Sequence, residues 1–175
     1  MKAAILAAKA DGDSVGGILE TCVLGMPAGI GEPWFDSLES LLSHALFSVP
    51  AVKGVEFGDG FAMADMRGSQ ANDAFYYDET GAVRTRTNHN GGINGGITNG
   101  MPLVFSTAIK PTPTICMEQE TVDIAKGTDT VLASKGRHDP CIVHRARIVI
   151  DSVVALVLTD ALLGRYGTDY FTPEE

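Results

Sequence analysis

Apolar side chains recur every three or four positions between Trp34 and Phe47, and polar Asp36, Glu39 and Ser43 occupy the opposite side. This period predicts an amphipathic helix that packs its apolar face on a flat partner. The stretch from Met1 to Lys9 predicts a second, short amphipathic helix, because its apolar run is too short for a secretory signal and lacks a cleavage pattern.

A longer helix is predicted near the end of the chain. It should begin near Pro140, because Asp139 is a favourable N-cap and proline suits the first helical position. It should end near Arg165 and Gly167. Two aspartates interrupt its apolar stretch from Ile148 to Leu163, and such charges are costly in a bilayer, so we predict no membrane-spanning segment.

Between the two long helices, short stretches rich in β-branched and aromatic residues predict strands. They are Val52 to Phe57, Ala62 to Met66, Phe75 to Tyr77, Leu103 to Ile109, and Thr121 to Leu132 around a turn at Lys126-Gly127, with a further strand pair flanking Met26-Pro27. Strands and helices alternate in blocks without regular βαβ spacing, which favours an antiparallel sheet with helices on one face. We therefore predict a single α+β domain over residues 1–175.

The composition and net charge of this domain exclude some classes of binding partner. A chain of 175 residues is long enough for one domain with a core, and its formal net charge of −9 repels nucleic acids and anionic membrane surfaces. Any anionic ligand therefore needs a local basic pocket. Cys22, Cys116 and Cys141 have no CxxC spacing, so they predict neither a disulfide framework nor a metal site, and a reducing cytoplasm fits best.

Two segments have the composition of ligand-binding loops. Paired glycines recur four residues apart within residues 88–100, and glycine permits positive φ and close approach to a ligand, although a mobile loop explains the segment equally well. The segment Lys110-Pro111-Thr112-Pro113-Thr114 presents a cation and two hydroxyls on a proline-stiffened turn, which suits a phosphate or a carboxylate. An ordinary loop with a solvated lysine is the alternative there.

A third candidate lies at the predicted start of the last helix. Lys135 and Arg137 stand just before it, and the free amides and dipole of a helix N-terminus also favour anions. The segment therefore predicts an anion-binding site. The alternatives are that His138 is a polar loop residue and that Asp139 only caps the helix.

These motifs occur together, in order, in one protein family. They are GDSVGG at 12–17, GEP at 31–33, VKGVEFGDGF at 52–61, RGS at 67–69, NH at 88–89, GGI at 91–93, GGI at 95–97, KPT at 110–112 and KGRHDPC at 135–141. As a set they cover nearly the whole chain, which resembles the C-terminal half of chorismate synthase. The resemblance implies about one half of a β-α-β sandwich, here an antiparallel sheet with packed helices.

The resemblance also implies a function. Enzymes of this family are homotetramers that bind reduced FMN and 5-enolpyruvylshikimate 3-phosphate. They are lyases that eliminate phosphate and a hydrogen in a 1,4 relationship. The product is chorismate, made in the shikimate pathway for aromatic amino acid biosynthesis, and the reaction has no net redox change.

The same resemblance assigns site residues. Flavin contacts fall on Ala51, Gly95, Lys110, Pro111, Thr112, Pro113, Thr114 and Arg137. Arg137 and His138 are expected to bind substrate, and Asp139 matches an acid that assists proton transfer. Two positions depart from the family pattern: Pro50 stands where some relatives have asparagine, and Pro113 replaces a frequent serine, which removes a hydroxyl and an amide from the loop.

The other half of the family fold carries groups that these 175 residues lack. They are a Gly-x-Ser-His motif, a second catalytic histidine and several phosphate-binding arginines, so the isolated chain is predicted to be inactive. Two alternatives stay open. One is a non-catalytic flavin-binding or oligomerisation module made from the same half-fold, and the other is an unrelated protein that binds phosphate esters.

Overall fold

A computed structural model describes residues 1–168 of the chain. The helices of this part are α1 (Lys2–Ala10), α2 (Leu38–Ser48), α3 (Gly68–Ala71) and α4 (Val143–Tyr166), with 3-10 turns at Trp34–Asp36 and Gly60–Asp65. Its strands are β1 (Gly17–Val23), β2 (Val52–Phe57), β3 (Phe75–Tyr77), β4 (Val83–Thr85), β5 (Ile93–Asn94), β6 (Ile97–Thr98), β7 (Leu103–Ile109), β8 (Glu118–Asp123) and β9 (Thr128–Ala133). All three predicted helices are present.

An antiparallel sheet of three strands, in the order β1-β7-β2, forms the centre of the fold. Alternate residues of the central strand β7 are buried, namely Leu103, Phe105, Thr107 and Ile109, as expected when one face of a strand packs on a core. Helices α2 and α4 pack against each other and against this face. The predicted α+β class, with an antiparallel sheet and packed helices, is confirmed.

Helix α2 contributes a stripe of leucines to the core. Every fourth residue from Leu38 to Leu46 is fully buried, and each such side chain stabilises the fold by about 1.5–3 kcal/mol. The helix begins at Leu38, later than predicted, because the Ser37 hydroxyl caps it by accepting a hydrogen bond from the Ser40 amide at 3.1 Å. Trp34 instead lies in a separate 3-10 turn, with a φ of 67°.

Two strand predictions are wrong. Residues 62–66 lie mostly in the 3-10 turn Gly60–Asp65, where the Ala62 amide donates to the carbonyl of Asp59 at 2.9 Å. Met26-Pro27 does not separate a strand pair: β1 ends before it and pairs with the distant β7, and no strand follows it before α2. Pro27 has no amide to donate, which disfavours a regular ladder at this point.

The predicted hairpin around Lys126-Gly127 is confirmed. It consists of β8 and β9, and Gly127 supplies the left-handed turn with a φ of 63°. Every residue of β9 is exposed, so this hairpin lies outside the core. Within residues 1–168, no helix is both long and apolar enough to cross a membrane.

Thr107 is the polar exception on the buried face of β7. Its side chain is fully buried, and its hydroxyl has no hydrogen-bond partner among the described residues. An unpaired buried polar group costs about 1–3 kcal/mol, and valine has nearly the shape of threonine. We therefore expect Thr107→Val to raise the free energy of unfolding by about 1 kcal/mol in urea denaturation.

Thr121→Val, on the exposed hairpin strand β8, is the control for this substitution. It should change the free energy of unfolding by less than about 0.5 kcal/mol, because surface changes away from special features are nearly neutral. If Thr107→Val lowered stability instead, the buried hydroxyl would have a partner that this structure does not show.

Candidate active site

The two predicted anion-binding loops meet because the segment after α1 joins them. The Val15 amide donates to the carbonyl of Pro140 at 2.8 Å, which ties the segment to the loop before α4. The Ser14 hydroxyl donates to the carbonyl of Thr112 at 2.6 Å, and the Cys116 amide donates to an oxygen of this segment at 2.9 Å. The GDSVGG block therefore has a structural task, which is to hold both loops side by side.

A cleft of about 180 Å³ lies between these segments. Its walls include Lys9 at the end of α1, Asp13, Thr114, Cys116 and the segment 136–140. The structure thus brings together four residues that the sequence marked as site residues: Thr114, Arg137, His138 and Asp139. They come from two loops that are distant along the chain.

Asp139 does not cap the last helix, contrary to the prediction from its position. Helix α4 begins at Val143, and its N-cap Ile142 offers no side-chain hydrogen bond. The Asp139 carboxylate instead accepts a hydrogen bond from Arg145 on the first turn of α4, with Nη1 to Oδ2 at 2.5 Å. This ion pair fixes the carboxylate at the wall of the cleft, where its side chain remains 45% exposed.

His138 presents a buried nitrogen with no partner. Its Nε2 atom is excluded from solvent and makes no hydrogen bond within residues 1–168. Buried polar atoms are almost always hydrogen-bonded, and those that are not often mark a place where a ligand or water binds. His138 lines the cleft. The unpartnered nitrogen therefore belongs to a residue of the cleft wall.

The Lys110 to Thr114 loop adjoins Ala51 through the backbone. The Lys110 amide donates to the Ala51 carbonyl at 2.9 Å, and Ala51 has a φ of 75°, an unusual backbone conformation for a residue with a side chain. Thr112 has a buried hydroxyl without a partner in the described structure, while Pro111 and Pro113 are exposed. Ala51 and the loop thus lie at one end of the sheet, as a shared ligand would require.

Gly95 lies elsewhere in the fold. It forms the open turn between β5 and β6, with a φ of 60° and no neighbour near the position of a side chain. The adjacent Gly96 carbonyl accepts a hydrogen bond from the Leu38 amide at the start of α2, whereas Ala51 follows the end of that helix. Eleven helical residues span about 16 Å, so Gly95 lies near the start of α2 and Ala51 follows its far end.

The glycine pair that precedes this turn, Gly91-Gly92, is used for packing. A side chain at Gly91 would lie 2.4 Å from the Val104 carbonyl oxygen, and one at Gly92 would lie 2.5 Å from the Pro102 carbonyl oxygen. Both glycines are buried against the start of β7. Close backbone approach, one of the two uses of glycine considered for residues 88–100, therefore serves packing at Gly91 and Gly92.

Sequence reasoning missed several members of the site and its surroundings. Lys9 and Asp13 line the cleft, although only Asp13 belonged to a recognised motif. His89 contacts the Asp59 carboxylate through Nδ1, a pairing between two separate motif blocks that no local pattern predicts. Within residues 1–168, no group of three or more metal-binding side chains comes together.

Comparisons with known proteins give one family for this chain. A chorismate synthase family model matches residues 1–163. The chain is 52% identical to the chorismate synthase of Synechocystis sp. over 151 residues, which are 86% of this chain and 41% of the relative. It is 48% identical to the chorismate synthase of Methanothermobacter thermautotrophicus over 163 residues, 93% of this chain and 44% of that protein.

A solved crystal structure of chorismate synthase has the same fold. It aligns with a TM-score of 0.77 at 34% identity, over 96% of this chain and 43% of that chain. The chain therefore spans about two fifths of the length of the relatives it matches. The family model and the relatives each cover most of these 175 residues, and on that basis the chain belongs to the chorismate synthase family.

Proposed function

We propose that the protein supplies one half of a chorismate synthase active site, which eliminates phosphate from 5-enolpyruvylshikimate 3-phosphate to give chorismate. The observation that carries this proposal is the convergence of Thr114, Arg137, His138 and Asp139 on one cleft. When bound, reduced FMN would supply an electron-rich ring system to the reaction. The overall reaction, a 1,4-elimination of the shikimate pathway, has no net redox change.

The residues of the cleft fit the phosphate end of such ligands. Arg137 offers several N–H donors in a planar fork, and Thr114 offers a hydroxyl and an amide. The unpartnered hydroxyl of Thr112 and the Lys110 side chain at the end of β7 lie on the same loop. We propose that these four residues, with the backbone of Ala51, hold FMN.

The size of the cleft supports a divided site. Pockets that enclose a whole small ligand measure about 300–1,000 Å³, and this cleft measures about 180 Å³. These residues would therefore hold one part of FMN or of the substrate and leave the remainder to other protein surface. That division supports the prediction that the isolated chain is inactive.

Within the complete site, Asp139 would handle the proton and Arg137 the phosphate charge. A carboxylate held by Arg145 at a partly exposed wall has a fixed direction and access to a bound ligand, which general acid-base catalysis requires. The guanidinium of Arg137 would stabilise the charge that develops on the leaving phosphate. His138, with its unpartnered Nε2, would bind the substrate.

An oligomerisation module is the second candidate function, and the surface of α4 favours it. Ile148 is 64% exposed and Leu156 is 72% exposed on this helix, and we propose that both belong to a contact surface between subunits. We propose a homotetramer on the family pattern. We also propose a cytoplasmic location, because the free thiols of Cys22 and Cys116 are exposed and suit a reducing compartment.

An elimination assay by complementation tests the proposed function. The chain is assayed with 5-enolpyruvylshikimate 3-phosphate and anaerobically reduced FMN, alone and together with the portion of the Synechocystis relative that it does not match. We expect no turnover by the chain alone and chorismate formation by the mixture, because the mixture restores the missing catalytic groups.

Two controls accompany this assay. The intact relative must turn over under the same conditions, and gel filtration must show that the two portions associate. An inactive but associated mixture would refute the proposal that this half provides a working site. Turnover by the 175 residues alone would instead refute the predicted inactivity.

A further inference from the structure

Helix α1 places a cation, Lys9, in the wall of the cleft. Lys9 occupies the last turn of α1 and lines the cleft with Arg137 and His138. The chain turns immediately after it: the Gly12 amide donates to the Lys9 carbonyl at 3.3 Å, and the Asp13 amide donates to the Ala8 carbonyl at 2.8 Å. The position of the lysine is therefore set by the same segment that joins the two loops.

Two cations of the cleft are not paired with a carboxylate in the part of the chain that the structure describes. Lys9 and Arg137 form no salt bridge among the described residues, although the chain has 22 acidic residues and only 13 basic ones. The two carboxylates of the cleft are otherwise engaged. Asp139 binds Arg145, and Asp13 accepts a hydrogen bond from the Ser14 amide at 2.7 Å.

A phosphate group is the ligand class that suits Lys9, Arg137 and His138, which line the same cleft. Its oxygens accept hydrogen bonds from an ammonium and a guanidinium at once, and they would also pair with the buried Nε2 of His138 when that nitrogen carries a proton. We propose that Lys9 is a phosphate ligand of this cleft, acting with Arg137 and His138. This inference rests on the proposed function, and it adds a residue outside the motif blocks of the sequence.

The ligand class is a phosphate monoester. In the proposed function two molecules carry such a group, FMN and 5-enolpyruvylshikimate 3-phosphate, and the chemistry that recognises the group is the same for both. The cleft holds about 180 Å³, which suits one phosphate and the atoms beside it. Separate titrations distinguish the two sources.

The test uses calorimetric titrations of the 175-residue chain with inorganic phosphate, FMN, riboflavin and 5-enolpyruvylshikimate 3-phosphate. Lys9→Met is the test variant, and Lys2→Met, at the opposite end of the same helix, is the matched control with the same change of charge. We expect Lys9→Met to weaken binding of inorganic phosphate about tenfold or more, the usual effect of losing one hydrogen bond to a charged group. Lys2→Met should bind as the wild type does.

If Lys9→Met weakens binding of FMN but not of 5-enolpyruvylshikimate 3-phosphate, the flavin phosphate lies at Lys9. If it weakens binding of 5-enolpyruvylshikimate 3-phosphate but not of FMN, the substrate phosphate lies there. Riboflavin, which has no phosphate, should be unaffected. Lys9→Arg should retain most of the affinity, which separates loss of charge from damage to α1. Equal affinities of Lys9→Met and wild type, or no phosphate binding by the wild type, would overturn the inference, while the complementation assay judges the proposed function independently.

Discussion

Replacing Asp139 by asparagine should lower the turnover number of the complemented enzyme by about 100-fold or more, with little change in KM. Asparagine has the shape of aspartate and still accepts a hydrogen bond from Arg145, so the wall of the cleft should keep its form. It does not take up a proton in the way a carboxylate does, and positioned acid-base groups contribute about 100- to 10,000-fold. Stopped-flow measurement of chorismate formation across pH provides the test.

Asp13→Asn is the matched control, because Asp13 is the other carboxylate of the same cleft and accepts its hydrogen bond from a neighbouring amide. Its effect on turnover should be smaller than about tenfold, since no proton-transfer role attaches to it. A turnover number for Asp139→Asn within threefold of the wild type would remove Asp139 from proton transfer. The Asp139 carboxylate would then have only a positioning role, through its ion pair with Arg145.

Replacing Asp73 by alanine should lower the free energy of unfolding by about 3 kcal/mol or more. The carboxylate is 7% exposed and accepts hydrogen bonds from the Thr87 hydroxyl and the His89 amide, both at 2.8 Å. It also accepts from the amide of Asn90 at 2.9 Å and from the Asn90 side chain at 2.8 Å. Removal would leave all four donors without this partner, and urea denaturation followed by circular dichroism measures the loss.

Asp78→Ala tests whether burial decides that effect. Asp78 also accepts several hydrogen bonds, from Thr80 and the Ala82 amide, but it lies at the turn of the largely exposed β3-β4 hairpin, with 25% of its side chain exposed. Water replaces its contacts easily, so the loss of stability should be less than a third of that for Asp73→Ala. Similar losses for the two variants would show that burial of the Asp73 carboxylate is not what makes it important.

The stability contributed by Asp73 should also depend on pH. Burial raises its pKa, but the hydrogen bonds donated by Asn90, His89 and Thr87 outweigh burial, so the pKa of Asp73 lies below its ordinary value. A lowered pKa in the folded state means that the contribution is complete above the unfolded value, near pH 3.9, and is lost as pH falls through the folded value. The difference in stability between wild type and Asp73→Ala should therefore shrink below about pH 4.

Much of the fold follows from local patterns in the sequence. The spacing of leucines in α2 and the alternation of apolar residues along β7 each indicate one face that packs on the core. Lys126-Gly127 indicates a turn. These signals depend on neighbouring residues only, and so they predicted elements whose positions the structure confirms. The run 62–66 was misassigned because a short apolar stretch has no clear period, and the turn bond to Asp59 decides its conformation.

The candidate site likewise has residues that the sequence identifies and contacts that it does not. Its motif residues Arg137, His138 and Asp139 are recognisable in the sequence, because their residue types and order resemble one family. The sequence by itself therefore determined the family and the candidate chemistry. It did not determine that Lys9 shares their cleft or that Asp139 binds Arg145 in place of capping α4. Only the tertiary structure decided those contacts, because they depend on where sheet pairing and loop hydrogen bonds bring distant segments together.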